Sequence, residues 1–310
     1  MPDVGIFLLS NSDAITVNQD KRLHLEIVLY LYRNNQTQWS TKRLPVALSI
    51  DTSREVRNFL NSQNLLINLV EGVYDEDTIH AIVDSAPVLH VSFVPGALDD
   101  DPFPAILPMI GCTGSFTAPN SEQTSPTAVY LHGYISSRLM KLPTTNEDLP
   151  GTPVCIAATH VDGLVLAVTP FNHSNNYRSA IIHGWANIVT DTAEKLYALE
   201  QITNHVVSNR WENTIIPPTD ADLKSTGVLR VDIASASAKV RAAGVGDPGV
   251  SQDRVWFGVV PCWMAYGKPV PSGQNLVEEV PEHINSWVSK ENERNEKYAR
   301  QVASQPYGKK

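Results

Sequence analysis

Positive charge is scarce in this sequence, where 24 Lys and Arg face 33 Asp and Glu and give a formal net charge of −9. No block of Lys or Arg exceeds two residues, so the chain lacks the concentrated positive charge with which proteins bind a nucleic-acid backbone. Long apolar runs are also missing, since none approaches the roughly 20 residues that a membrane-spanning helix needs. Residues 1–14 contain neither a basic segment nor a small-residue cleavage site. We therefore expect a cytoplasmic protein with no nucleic-acid or membrane partner.

Cysteine is rare, and the familiar catalytic motifs are absent. The three cysteines, Cys112, Cys155 and Cys262, are odd in number and far apart, which predicts reduced thiols and no disulfide. The sequence contains no G-x-S-x-G, P-loop, H-E-x-x-H or C-x-x-C pattern, and the glycines of 242–249 do not fit G-x-G-x-x-G. The nine histidines are not spaced to place two on one face of an element, so no metal is predicted.

What the chain does contain is a series of short strand-like segments. Residues 154–171 read as two β-rich runs around Asp162-Gly163, a dipeptide suited to a type I′ turn, and this predicts a hairpin. Further strands are predicted at 88–94, 105–111, 128–134, 179–189, 227–233 and 255–264. Their short spacing, with turn residues between them, favours an antiparallel barrel or sandwich.

Helices are predicted between these strands. Residues 75–86 and 192–207 have helical spacing, and Asp191 with Glu194 resembles a capping box at the start of the second helix. A shorter helix is expected after Thr219. The fold class is therefore a β-dominated α+β protein, with a main domain at 61–275. We expect an N-terminal extension at 1–60, which could hold a hairpin of 24–32 and 44–50, and a C-terminal helical tail at 276–310.

The few basic residues suggest an anionic ligand. Arg138 follows Ser136 and Ser137 where a strand gives way to a helix, an arrangement that could hold a phosphate or could be a simple serine cap. Arg178-Ser179 forms a second such pair at the start of a strand, where a capped turn is the alternative. Lys239 and Arg241 would lie on one face of a strand.

Nine stretches in order carry a family resemblance. They read YDEDTIHAIVD, VLHVSF, DPFPAILPMIG, VYLHGYISSRLM, DGLVLAVTPF, NYRSAIIHG, RWENT, SASAKVR and VWFGVVP. From about residue 63 to 290, the chain resembles the pyridoxamine-phosphate-oxidase-like, flavin-nucleotide-binding proteins of the FMN-binding split-barrel fold. Among them it is most similar to the long fungal members.

The resemblance implies a homodimer of split β-barrels with flanking helices, with FMN in two symmetric clefts between the subunits. The strand at Leu107-Pro108-Met109 would run beside the flavin ring, and its backbone groups could bond the polar edge of the ring. His132, Ser137 and Arg138 would hold the phosphate. Further cleft residues implied by the resemblance are Tyr177, Arg178, Ser179, Lys239, Arg241 and Trp256.

The chain departs from the family pattern at three positions where family members commonly carry cations. Ile67 and Glu71 stand in the segment before Tyr74-Asp75, and Ile215 follows the RWENT stretch. If such cations hold the phosphate, each loss costs roughly 1.5–3 kcal/mol of binding free energy, or about one to two decades of affinity. We therefore expect weakened FMN binding.

The first functional prediction is an FMN-dependent oxidoreductase that transfers hydride between a reduced nicotinamide and a small organic substrate. His160, His173 and Tyr177 are its weak catalytic candidates. The second is a flavin-independent enzyme, a cyclase or isomerase of secondary metabolism, which the three departures favour. The third is a non-catalytic ligand-binding or haem-handling protein. Fold resemblance does not choose among them.

Overall fold

The computed structural model describes residues 4–6, 22–31, 40–49, 72–73, 75–95, 103–116, 126–142, 149–246 and 254–307. The chain divides into two compact units, Met1–Glu71 and Gly72–Lys310. Within the described ranges, no helix is long and apolar enough to cross a membrane. The predicted boundaries at residues 60 and 275 stay predictions, and Ile67 and Glu71 lie outside the described residues.

The first unit contains a three-stranded antiparallel sheet in the order β1-β2-β3. Its strands are β1 (Val4–Ile6), β2 (Arg22–Leu31) and β3 (Ser40–Ser49). The pairing of β2 with β3 runs without interruption from Arg22↔Ser49 to Leu31↔Ser40. This pairing is the hairpin that the sequence suggested for this region.

The second unit is built on a closed barrel of six antiparallel strands. Neighbouring strands pair in the circular order β5-β6-β7-β10-β9-β8, and β8 returns to β5. Two short strands extend the barrel, since β4 pairs with β10 and β11 with β8. The strands of this unit are β4 (Gly72–Val73), β5 (Leu89–Phe93), β6 (Ala105–Gly114), β7 (Ala128–Tyr134), β8 (Thr152–Leu166), β9 (Ser174–Ile188), β10 (Thr226–Arg241) and β11 (Gly258–Pro261).

The predicted hairpin around Asp162-Gly163 is wrong. The two runs form the single strand β8, and the register against β9 shifts between Val161 and Gly163, which makes Asp162 the extra residue of a β-bulge. Each half of β8 has its own outer neighbour, because 154–157 pairs with β5 and 163–166 pairs with β11. A turn at Asp162-Gly163 would break the continuous ladder with β9. The predicted strand at 255–264 is likewise shorter, because only β11 forms there.

Alternating side chains of the barrel strands form the core. In β5, Leu89, Val91 and Phe93 are buried while His90 is exposed. The interior is filled by residues of this kind from all six strands, and Ile79 and Val83 of an adjacent helix cover one side. A smaller cluster lies on the outer face of β6, β7 and β10.

In the described part of the chain, five α-helices flank the barrel. They are α1 (Glu76–Ser85), α2 (Arg138–Lys141), α3 (Thr192–Val206), α4 (Asp220–Ser225) and α5 (Glu282–Ala303). The Asp191 carboxylate caps α3 by accepting a 2.7 Å hydrogen bond from the Glu194 amide. Glu194 does not complete the predicted box, because its carboxylate accepts a 2.8 Å hydrogen bond from the Tyr130 hydroxyl. The box forms at α4, between Thr219 and Asp222.

Candidate functional site

The end of β7 and its connection to α2 contain two buried polar atoms that have no hydrogen-bond partner among the described residues. Ser137 occupies the N-cap position of α2, yet its hydroxyl makes no capping hydrogen bond. Its Oγ and the Nδ1 of His132 are both buried and lack a hydrogen-bond partner. Most buried polar groups are paired, so an unpaired one is expected to have a reason, such as a ligand. Because α2 is only four residues long, its dipole adds little to any anion held here.

The outer face of β6 lies beside His132. Ile110 pairs with His132 across β6 and β7, and Pro108 lies two residues earlier on the same exposed face. The Met109 side chain points the other way and is buried in the core, against which Leu107 also packs. Only the backbone of Leu107-Pro108-Met109 and the Pro108 side chain therefore face this region.

The side chain of Arg178 lies on the opposite face of β9 from the side chains of Tyr177 and Ser179. Its guanidinium donates two hydrogen bonds, of 3.0 and 2.8 Å, to the carboxylate of the bulged residue Asp162. The guanidinium also lies 4.2 Å from the centre of the Tyr298 ring on α5. Arg178 therefore anchors the β8 bulge and the C-terminal helix to β9.

Tyr177, Ser179, Lys239 and Arg241 occupy the opposite face of the same strands. The register places Ser179 opposite Lys239 and Tyr177 opposite Arg241. The Ser179 hydroxyl donates a 3.2 Å hydrogen bond to the Lys239 carbonyl, and the Lys239 ammonium lies 5.6 Å from the centre of the Tyr177 ring. These four predicted residues are thus brought together, without Arg178.

The Arg241 guanidinium is used within the fold. It donates to the Asn176 side-chain oxygen, and to the carbonyls of Ala243 and Gly244 at 3.2 and 3.0 Å. These bonds satisfy several of the five N–H donors of the guanidinium and fix the end of β10. Arg241 therefore has a structural role in addition to any role at a cleft.

Trp256 and His173 lie in loops. Trp256 is 69% exposed and packs against Gly258 at the start of β11. His173 Nδ1 lies 3.1 Å from the Thr169 carbonyl and 3.2 Å from that of Pro170, so this nitrogen carries the proton that it donates to them.

His160 lies in a cavity of about 510 Å³ where the end of α1, β8, β9, α5 and the segment 262–266 meet. We call it the His160 cavity and define it by Val88, His160, Arg178, Trp263, Met264 and Tyr266. Apart from His160 and Arg178, the sequence analysis did not identify its residues. They come from distant parts of the chain and share no motif.

A second cavity of about 460 Å³ lies nearby, between the ends of α1 and α3 and the helix α5. Its polar groups are used within the fold: Asp84 accepts hydrogen bonds from Thr113, and His205 lies 3.3 Å from the Ala86 carbonyl. In the described part of the chain, no three His, Cys, Asp or Glu side chains are grouped so as to hold a metal.

Comparison with known proteins gives three findings. The sequence pattern of one family, described as pyridoxamine 5'-phosphate oxidase, matches residues 75–240. The structure of the flavocytochrome Anf3 from Azotobacter vinelandii is 27% identical with a TM-score of 0.56, over 70% of this chain and 91% of that chain. The FAD and heme binding protein from Mycobacterium smegmatis is 22% identical with a TM-score of 0.54, over 70% and 97%. A search of curated protein sequences found no match.

The fold predicted from the sequence is confirmed. A closed six-stranded antiparallel barrel with flanking helices is the FMN-binding split barrel, and both similar structures align over most of their length. The likeness to fungal members is not tested by these comparisons and stays a prediction.

Proposed function

The chain belongs to the pyridoxamine 5'-phosphate oxidase family, and from that premise we propose that it binds a flavin and acts as an oxidoreductase on a small organic substrate. The bound flavin would supply hydride transfer, and the protein would supply its binding and orientation. FMN is the flavin that the family resemblance implies. The roles of His160, His173 and Tyr177 in catalysis stay predictions.

One observation carries the proposal: the His132 Nδ1 and Ser137 Oγ atoms are buried and have no hydrogen-bond partner in the described part of the chain. The Ser137 hydroxyl is a donor suited to a phosphate oxygen, and His132 Nδ1 can donate in the matching tautomer. A phosphate oxygen accepts hydrogen bonds from donors of both kinds, so the chemistry of these residues fits the group. Arg138, exposed at the start of α2, would add a charge-assisted contact.

The similar structures support a flavin in general terms. The Azotobacter protein is named as a flavocytochrome, and the mycobacterial one as binding FAD and heme. The second, at 22% identity, supports the fold alone. Neither name favours FMN over FAD, so both flavins belong in the test.

We also propose that the protein works as a homodimer. Ile106 is 61% exposed on the outer face of β6, and the segment after β11 leaves Val270 88% and Leu276 94% exposed. Single apolar side chains on a surface are ordinary, but strongly exposed ones on a strand face and along one extended segment are surfaces that a second subunit could cover. Light scattering should give a mass near twice 34.1 kDa, and Ile106→Lys should yield monomer.

A flavin-independent enzyme or ligand-binding protein is the second candidate. The internal use of Arg178 and Arg241 favours it, because both guanidinium groups are already bonded to groups of the chain. Ile215, at a position where a cation was expected, is 96% exposed and offers no charge. A phosphate would therefore find fewer free donors than the resemblance implies.

An absorption spectrum and a flavin titration separate these candidates. Flavin bands in the purified protein, or tight binding of added FMN or FAD, support the proposal. A Soret band would favour haem binding instead, and a colourless protein that ignores both flavins would overturn the proposal.

Ser137→Ala then tests the phosphate contact. Loss of one hydrogen bond to a charged group should weaken flavin binding about tenfold. The flavin-free protein should be no less stable, because the buried hydroxyl has no partner to lose. Ser136→Ala is the matched control, since Ser136 is exposed in the same turn. Equal flavin affinity in all three proteins would refute the assignment of Ser137.

A further inference from the structure

The hydrogen bonds around His160 determine which of its nitrogens carries the proton. The Ser85 hydroxyl lies 2.7 Å from the Ala81 carbonyl and so donates its one hydrogen there. His160 Nε2 lies 3.1 Å from Ser85 Oγ and 3.3 Å from the Ile82 carbonyl. Because a carbonyl only accepts and the serine hydrogen is already used, Nε2 must be the donor to both. In the neutral ring, Nδ1 then carries the lone pair.

The lone pair of Nδ1 is available to a ligand. No described residue donates a hydrogen bond to Nδ1, and it is not among the fully buried polar atoms without partners, so it is not sealed from solvent, and the His160 side chain lines the cavity. Burial of the ring, and then the positive charge of Arg178, lower the pKa of His160. The ring therefore stays neutral near pH 7 and acts as a hydrogen-bond acceptor.

The walls of the His160 cavity are apolar and aromatic. Val88, Trp263 and Met264 line it and remain partly exposed, and the Arg300 guanidinium lies 5.5 Å from the centre of the Trp263 ring. Tyr266 forms a further wall and is itself held by Trp287, whose ring centre lies 4.6 Å away. A volume of about 510 Å³ is within the range of sites for small organic ligands.

The charges in this cavity cancel. Arg178 is the only Lys or Arg among the described residues that line it, and its guanidinium is bonded twice to the Asp162 carboxylate, which also lines the cavity. A phosphate or carboxylate would have to compete with Asp162 for that guanidinium. The cavity therefore disfavours an anionic ligand, in contrast to the His132–Arg138 region.

We propose that the His160 cavity is a separate binding site for a neutral aromatic alcohol, whose hydroxyl donates a hydrogen bond to Nδ1 of His160 while its ring packs against Trp263 and Met264. A neutral aromatic alcohol matches all three features: a single acceptor, apolar walls and no net charge. The site does not depend on whether a flavin binds to the protein.

Three naphthalene compounds test the ligand chemistry on the full-length protein. 2-Naphthol has the hydroxyl donor, 2-methoxynaphthalene has the same ring without the donor, and 2-naphthyl phosphate carries an anion. Calorimetric titration should give 2-naphthol an affinity about fivefold higher than that of the methoxy compound, as expected for one neutral hydrogen bond. The phosphate should bind more weakly than the naphthol. Equal affinities of the first two compounds, or tightest binding of the phosphate, would overturn the proposal.

Two variants test whether the naphthalene compounds bind in the His160 cavity. Trp263→Ala removes an aromatic wall and should lower the affinity for both neutral compounds about tenfold. Trp256→Ala changes an exposed tryptophan outside the cavity and should leave both affinities unchanged. His160→Leu should abolish the preference for naphthol over its methyl ether. If that variant does not fold, nitrogen NMR of wild-type His160 replaces it, and the Nδ1 signal should shift with 2-naphthol alone.

Saturation with FMN gives the last control. Naphthol binding should be unchanged by the flavin, because His132, Ser137 and Arg138, the proposed phosphate contacts, do not line the His160 cavity. Competition between them, or an effect of Trp256→Ala equal to that of Trp263→Ala, would place the naphthol elsewhere and refute the proposal. If the protein binds naphthol as described but binds no flavin, only the proposed oxidoreductase function is refuted.

Discussion

Arg178→Met should lower the free energy of unfolding by about 3 kcal/mol, because it leaves the Asp162 carboxylate buried without a counter-ion. The side chain of Asp162 is 6% exposed and that of Arg178 is 23% exposed, and the pair shares two hydrogen bonds. Methionine keeps the apolar stem that packs along the barrel, so the change mainly removes the charge. The bulge of β8 and the contact to α5 both depend on this guanidinium.

The magnitude follows from the burial of the two groups. Removing one partner of a buried ion pair typically costs about 3–5 kcal/mol, and the partial exposure of Arg178 places the value at the low end. Loss of the contact with Tyr298, 4.2 Å from the guanidinium, contributes up to about 1 kcal/mol of that total. Asp162→Asn alone should cost less, about 1 kcal/mol, because water can still reach Arg178.

Urea unfolding followed by circular dichroism measures these values, with the midpoint shifting at constant slope. The double variant Arg178→Met with Asp162→Asn should be more stable than Arg178→Met alone, because it no longer contains an unpaired buried carboxylate at residue 162. Arg300→Met is the matched control: its i,i+4 pair with Glu296 is exposed, and it too lies over an aromatic ring, 5.5 Å from the centre of Trp263, so its loss should cost less than about 1 kcal/mol. A cost below about 1 kcal/mol for Arg178→Met, or no recovery in the double variant, would show that Asp162 does not depend on Arg178.

Three further predictions follow from burial. Burial lowers the pKa of His160, so below pH 6.5 the unfolded chain binds a proton more readily than the folded chain does. The free energy of unfolding should therefore fall as the pH drops below about 6.5, and it should fall less steeply with pH in His160→Leu. Burial raises the pKa of the Cys112 thiol to about 12, so a thiol reagent at pH 8 should not modify Cys112 in the native protein. Cys262 lines the His160 cavity, so the same reagent should modify it, and 2-naphthol should slow that reaction. A Cβ on Gly184 would lie 2.4 Å from the Asp232 carbonyl, so Gly184→Ala should cost about 2–3 kcal/mol in the same urea assay.

Local patterns were sufficient for most of the barrel. The predicted strand at 128–134 coincides with β7, and those at 88–94 and 105–111 fall on β5 and β6. These segments pair in a regular ladder, so their own alternation of apolar and polar residues decides their structure. The cap of α3 at Asp191 was predictable for the same reason, because it involves only adjacent residues.

The features of the fold that the sequence could not predict depend on contacts between residues far apart in the chain. Asp162-Gly163 is a good turn by local propensity, but a continuous ladder with β9 and the bond from Arg178 favour a bulge there. The His160 cavity depends on α5 and on the segment 262–266 folding back over β8, and neither carries a recognisable motif. The neighbouring residues Arg178 and Ser179 are also separated in the fold, since their side chains point to opposite faces of β9.

The two groups of predicted site residues differ in how the fold uses them. Arg178 and Arg241 are satisfied by Asp162, Asn176 and backbone carbonyls, so they stabilise the folded chain with no ligand present. His132 Nδ1 and Ser137 Oγ do the opposite, because each buried atom without a partner costs roughly 1–3 kcal/mol of stability. A cost of that kind is offset when something else supplies a partner, as a phosphate oxygen would for either atom. The proposed anionic cofactor would therefore gain more from His132 and Ser137 than from Arg178, whose guanidinium is already bonded to Asp162.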